Sequence, residues 1–99
     1  LNNILAYYRI RVTKLTELIE WKISNKLIEY DFAISEMEKR VLNIKRNNEQ
    51  ELVWLVEHES IYTAGTSAKN EDLINHNVEI RHTGRGGQWT WHGPGQRVV

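Results

Sequence analysis

The sequence predicts a fold that combines one long helix with a sheet, and three observations carry that expectation. Leu27, Tyr30, Ile34, Met37, Val41 and Ile44 recur at steps of three and four, the spacing of one helical face. Leu52 to Val56 is an unbroken apolar run of strand length. Such runs suit a strand covered on both faces, at the centre of an α/β or mixed sheet. Shorter stretches at 19–23, 78–82 and 88–92 alternate polar and apolar residues, the period of a strand with two unlike faces. With 99 residues, 40% hydrophobic and 26% charged, the chain is one domain or part of one, with ordinary globular usage.

Taken in order, the chain opens on Leu1 rather than Met, as a processed, unusual or partial start would. Tyr8, Ile10 and Val12 alternate with Arg9 and Arg11, as in a short strand or a ragged terminus. Residues 1–18 are therefore set apart, and 19–99 are treated as one unit. Ile19, Trp21 and Ile23 form a better strand. Ser24 and Asn25 supply N-cap chemistry before the helix, and Asn47 and Asn48 end it. Glu36 and Arg40, four apart, are expected to pair on its exposed face. After the apolar run, Ile61 to Lys69 reads as a loop with Gly65 at its turn. Asn70, Glu71 and Asp72 read as the cap and acidic first turn of a short helix through Ile74. Val78, Ile80 and His82 form the next strand, and Trp54 is expected in the core.

Composition removes several classes of function. Thirteen basic residues balance thirteen acidic ones, which gives no electrostatic footprint for nucleic acid or a membrane surface. No apolar run reaches the roughly 18 residues that a bilayer span needs, and no secretory signal pattern is present. The absence of cysteine excludes a disulfide scaffold and fits a reducing cytosol. His58-Glu59 begins like the zinc-protease helix, but position 62 is Tyr where a second His is required. The four histidines lack metal-ligand spacing, so no metal site is expected. Gly65-Thr66-Ser67-Ala68 resembles a nucleophile elbow until Lys69. The dinucleotide fingerprint fails at Trp89, and no Lys-Ser/Thr pair makes a phosphate loop. His58 reads as a structural residue at a strand end, His76 as a loop residue, and Lys69 as a solvated charge. His82 either lines the same wall as His92 or faces solvent.

What remains is GRGGQWTWHGPGQ, residues 84 to 96, which holds five of the six glycines and the only proline. Gly84, Gly86 and Gly87 permit close approach of a ligand to the backbone. Arg85 sets a fixed positive charge with a planar donor fork among them. In a strand from Gln88, the side chains of Gln88, Thr90 and His92 share one face, and Trp89 and Trp91 share the other. Gly93-Pro94-Gly95 then turns the chain. Two readings fit this spacing: a glycine-rich hairpin with packed indoles, or the polar wall of a ligand pocket.

The run Arg85-Gly86-Gly87-x-x-Thr90-x-His92-Gly93-Pro94-Gly95-Gln96 closely resembles the signature of the octanoyltransferases of lipoate biosynthesis. Upstream, Val53-Trp54-Leu55-Val56-Glu57-His58 with Ile61-Tyr62-Thr63-x-Gly65 resembles that family's strand and loop. Glu71-Asp72-Leu73-Ile74 resembles its short helix, and the resemblance runs from about Trp21 to Val99. It implies an α+β fold, here a partial biotin/lipoate ligase-like mixed sheet with one long amphipathic helix. It also implies the reaction. Octanoyl passes from acyl carrier protein to an enzyme cysteine, then to a lysine on the lipoyl domains of 2-oxoacid dehydrogenases and the glycine cleavage protein. The implied enzyme is cytoplasmic and monomeric and uses no cofactor. By position, Arg85, Gly86, Gly87, Gln88, Trp89, Thr90, Trp91 and His92 form the substrate-binding loop.

Departures from the pattern are few but one is chemical. Trp91 stands for the usual Tyr or Phe, Arg97 for an apolar residue, and Glu59 for a proline. The family's nucleophilic cysteine and its lysine lie downstream of this motif, and no cysteine occurs in these residues. A hydroxyl without a base cannot replace a thiolate. The expectation is therefore the N-terminal portion of a truncated, split or frameshifted enzyme, with no catalytic residue of its own. Its sheet edge and apolar face are expected to lie open and to favour aggregation. Two other classes share the resemblance: a non-catalytic acyl-binding remnant, and an ATP-dependent lipoate or biotin ligase of the same fold.

Overall fold

The structure is a computed structural model that describes Tyr7–Tyr8 and residues 18–99. The chain is α+β, as expected, with one helix and two three-stranded mixed sheets among the described residues. In the first sheet, β1 (Tyr7–Tyr8) runs antiparallel to β2 (Ile19–Ile23). β2 runs parallel to β3 (Glu51–Leu55), in a register that sets Trp21 beside Val53. Helix α1 (Tyr30–Lys45) makes the crossover that two parallel neighbours require. In the second sheet, β4 (Ile61–Ala64) is central, parallel to β5 (Ile80–His82) and antiparallel to β6 (Trp89–His92). Val98 returns to bridge Val56 just past β3 and ties the end of the second sheet to the first. The rest of the expected N-terminal strand, around Ile10 and Val12, falls outside the described residues.

Helix α1 starts later than its stripe suggests. Ser24 N–H donates to Leu55 O at 3.0 Å and Ile28 N–H to Glu57 O at 2.8 Å, so both ends of the segment 24–28 are tied to the end of β3, with a bend at Lys26 between them. Ser24 does not cap the helix, because its hydroxyl accepts the Trp54 indole N–H at 2.9 Å. Asn25 does not cap it either; Glu29 does, accepting from Phe32 N–H at 3.2 Å. At the other end Asn47 takes φ 59° and the N–H of Asn48 reaches Asn43 O at 2.9 Å, which closes the helix where the two asparagines stand.

The helix is also rotated from its apolar stripe. Ala33 is its one buried residue, whereas Met37 and Val41 are 41% and 51% exposed. The expected Glu36–Arg40 pair is replaced. Glu36 meets Lys39 at 3.3 Å, and Arg40 turns inward to Glu20 at 2.9 Å, Glu49 at 3.3 Å and the Gln50 carbonyl at 3.0 Å. Arg40 thus binds three acceptors along the β2–β3 side, more than one exposed helix neighbour could offer.

The core lies between α1 and β3, where Ala33, Trp54 and Val56 are buried, with Ile28, Leu52 and Val98 against them. β3 is only half covered: Leu52, Val53 and Leu55 stay partly exposed, so the two-sided burial expected of this run is not reached among the described residues. Three further expectations change. Ile61–Ala64 is a strand and not a loop, with Ile61, Thr63 and Ala64 buried between its neighbours. Asn70–Asp72 is a single 3-10 turn without a side-chain cap, and Ile74 lies beyond it, exposed. β5 begins at Ile80, two residues after the alternation does.

Candidate functional site

The glycine-rich stretch is built onto the end of β4. Gly65 N–H donates to Gln88 O at 2.9 Å, Thr66 N–H to Arg85 O at 2.9 Å, and Ser67 N–H to Gly87 O at 3.0 Å. The Ser67 hydroxyl donates to the same Gly87 carbonyl at 2.9 Å. Residues 65–67 therefore lie flat against residues 85–88. Glycine is needed on both sides of this contact: a Cβ on Gly65 would overlap the Gly87 carbonyl, and Gly87 has φ 95°, which other residues rarely adopt.

Strand register sorts the side chains of the two faces. Thr63 lies opposite Thr90 and Ile61 opposite His92, so these four share one face. Tyr62 and Ala64, opposite Trp91 and Trp89, share the other. The division of Thr90 and His92 from the two indoles matches the sequence expectation. On the first face the Arg85 guanidinium folds back over the strands. Its Nη2 donates to Thr63 Oγ1 at 2.7 Å and Thr90 Oγ1 at 3.1 Å, and its Nη1 donates to Gly86 O at 2.9 Å. Thr63 is buried to 1% beneath it. The guanidinium carries five donors, so this arrangement holds a cationic donor fork at the mouth of the sheet.

Beside Arg85 lies an open cleft of about 540 Å³, bounded by Tyr30, Asp31, Ile34 and Glu38 on α1 and by Arg81 and His82 on β5. Arg81 fastens its far wall. Its Nε and Nη2 reach the two oxygens of Asp31, each at 3.0 Å, and Nη1 reaches Glu79 at 2.9 Å. The hydrogen bonds from Arg81, with its charge adding, outweigh desolvation and hold the Asp31 carboxyl below the usual carboxylate range. Hydrogen bonds to Asp31 first, then Glu79, raise Arg81 above its ordinary value.

At the other end of β6, His92 Nδ1 contacts Gln96 Oε1, and its ring stands edge-on to His58 at 6.3 Å. His58 is 4% exposed, its Nδ1 donating to the Ile28 carbonyl at 2.7 Å, and it stacks edge-on with Tyr30. The indoles anchor the opposite face: Trp89 Nε1 donates to Lys69 O at 2.9 Å and Trp91 Nε1 to Ser60 Oγ at 2.8 Å.

Of the eight residues singled out from the sequence, Arg85 and Thr90 meet directly, and His92 lies farther along the same face. Trp89 and Trp91 back that face from behind, the Gln88 side chain is exposed, and Gly86 has open space around it. Thr63, Gln96 and Glu57 were not among them. Thr63 was hidden in a stretch read as loop, and its signal was the spacing Thr63-x-Gly65. Glu57 accepts the Gly95 N–H at 3.0 Å and secures the turn after β6, a contact that no local pattern announces. Among the described residues, no group of three His, Cys, Asp or Glu side chains gathers as a metal site would, and no helix is long and apolar enough to cross a membrane.

An α+β sheet carrying an arginine-glycine loop over a cleft defines a class, and comparison with known proteins supplies the family. A model of the lipoyl protein ligase A/B catalytic domain matches residues 29–99. The chain belongs to that family. Relatives named octanoyltransferase include those of Wolbachia sp. subsp. Brugia malayi, 48% identical over 83% of this chain and 40% of the relative, and Bartonella quintana, 56% identical over 82% and 34%. That of Bartonella bacilliformis is 51% identical over 93% of this chain and 39% of its own length. The chain thus spans a third to two-fifths of the length of the curated relatives it matches.

Proposed function

We propose that residues 19–99 are the N-terminal portion of an octanoyltransferase catalytic domain acting in protein lipoylation. In the complete enzyme an octanoyl group moves from acyl carrier protein to a cysteine thiolate, and from that thioester to a lysine of a lipoyl domain. Arg85, Gly86, Gly87, Gln88, Thr90 and His92, backed by Trp89 and Trp91, form the wall that receives the acyl substrate. One observation carries this reading: Arg85 is pinned by Thr63 and Thr90 at the edge of a 540 Å³ cleft, a donor fork fixed beside space for a ligand. The names of the relatives favour the transferase over a ligase of the same family. The enzyme works in the cytoplasm as a monomer, without cofactor.

The chain as it stands holds no cysteine, so it supplies a binding surface and not the acyl-carrying nucleophile. Incubated with octanoyl acyl carrier protein, it should gain no covalent octanoyl mass, and an octanoyl adduct found on the intact chain would overturn this. Binding of octanoyl-pantetheine, followed by calorimetry, should weaken about tenfold in Arg85→Ala, a loss of about 1.4 kcal/mol. Equal binding by wild type and variant would remove Arg85 from the substrate site. Binding without chemistry is also the behaviour of an acyl-binding remnant. The two part when the missing portion is supplied in trans: the transferase reading requires octanoyl transfer to a lipoyl domain to appear.

A further inference from the structure

The donor and acceptor pattern around His92 fixes the placement of a proton. The Trp91 carbonyl can only accept, and Gln96 Nε2 donates to it at 3.0 Å. This settles which way the Gln96 amide points, and places its Oε1 against His92 Nδ1. That oxygen also can only accept, so the ring proton sits on Nδ1. In a neutral imidazole Nε2 is then left as a lone pair. Gln96 is itself held through the backbone. Its N–H donates to Gly93 O at 3.0 Å across the Gly93-Pro94-Gly95 turn, and the Gly95 N–H is bound by Glu57 at 3.0 Å.

The two substrates of an acyl transfer to lysine differ in hydrogen-bonding character. A thioester offers a carbonyl oxygen and no proton, so an Nε2 lone pair cannot bind it. The attacking sulfur reacts as a thiolate and also brings no proton. An amino group does bring protons. We infer that Gln96 is a positioning residue that pins His92 as its Nδ1–H tautomer, so that His92 Nε2 accepts a hydrogen bond from the amino group of the acceptor lysine. The identity of the amine rests on the octanoyltransferase reading; the pinning of the ring does not.

The ring nitrogen resonances of His92 test this in the 99-residue chain, at a pH where imidazole is neutral. Wild type should show a protonated Nδ1 and a bare Nε2. Gln96→Glu, which keeps an acceptor, should retain that form, and Gln96→Leu, which removes it, should shift the ring toward Nε2–H. A wild-type ring protonated at Nε2, or shared between the nitrogens, overturns the pinning. So does an unchanged tautomer in Gln96→Leu or a lost one in Gln96→Glu. Added Nα-acetyl-lysine methylamide should shift the Nε2 resonance as an accepted hydrogen bond does, and S-methyl thiooctanoate, which has no N–H or O–H, should not produce that shift. The reverse response, or none to either probe, overturns the assignment to the amine. A pinned ring in a chain that binds no octanoyl-pantetheine anywhere would sink the transferase reading alone.

Discussion

Gly65 and Thr63 show how closely single residues define the site. A methyl group at position 65 would overlap the Gly87 carbonyl and press on the Arg85 guanidinium, and the backbone there is held by three inter-segment hydrogen bonds. Gly65→Ala should therefore cost about 1–3 kcal/mol, the range for forced overpacking. Faster amide exchange at Thr66 and Ser67 would locate the damage, and an unchanged exchange pattern would refute the contact. Thr63→Val keeps the shape of the buried side chain and removes one of the three oxygens that receive Arg85 Nη2, the others being the Thr63 carbonyl at 3.2 Å and Thr90 Oγ1 at 3.1 Å. It should cost about 1 kcal/mol in urea denaturation, because exposed parts of the guanidinium can turn to water. The same variant should weaken octanoyl-pantetheine binding by less than Arg85→Ala does, since the donor fork loses one anchor and keeps those at the Thr63 carbonyl and Thr90. The residue type at 85 was plain in the sequence, but its anchor was not. A threonine twenty-two positions upstream becomes its partner only through the register of β4 and β6.

Among the elements, α1 is tied to the two sheets by different arginines. Arg40 links its C-terminal half to β2 and to the loop before β3, and it is only 17% exposed. Replacing it by Met leaves Glu20 and the Gln50 carbonyl without their donor. The expected loss is about 1.5–3 kcal/mol, the scale of hydrogen bonds to a charged group, measurable by urea denaturation. Asp31 links the N-terminal half to β5 through Arg81, on the surface. Its carboxyl is depressed in the folded chain, so its contribution is fully present above the unfolded value of about 3.9 and fades as the pH falls through the lower folded value. The stability gap between wild type and Asp31→Asn should therefore close in acid and shrink in salt. A gap independent of pH would show that the pair contributes nothing. Periodicity located this helix but not its orientation. The apolar stripe gives a face, and the inward turn of Arg40 decides how much of that face meets the sheet.

At the scale of the whole molecule, apolar surface lies open along α1, where Phe32, Met37, Val41 and Leu42 are all exposed. Monomeric proteins rarely leave such stripes uncovered. The isolated chain should self-associate with rising concentration, and Val41→Lys with Leu42→Lys should reduce the light scattering without lowering the thermal midpoint. Scattering unaffected by the two lysines would place the association elsewhere, at the open edges of the sheets.

Local periods and chemistry are legible along the chain. Steps of three and four made one helix, alternation made β2 and β6, and Arg85 to Gln96 carried the resemblance that the family match upheld. These features depend on neighbours a few residues apart, so they can be read along the chain. The rest follows from three-dimensional packing. It moved the helix cap from Ser24 to Glu29 because Trp54 claimed the Ser24 hydroxyl from thirty residues away. It made a strand of Ile61–Ala64, whose short mixed pattern gives no period of its own, by pairing it on both sides. It joined Arg85 to Thr63 and set the Gln96 amide against the His92 ring. Each of these but the last is a contact between distant segments, fixed by register and burial, and no local spacing encodes such a contact.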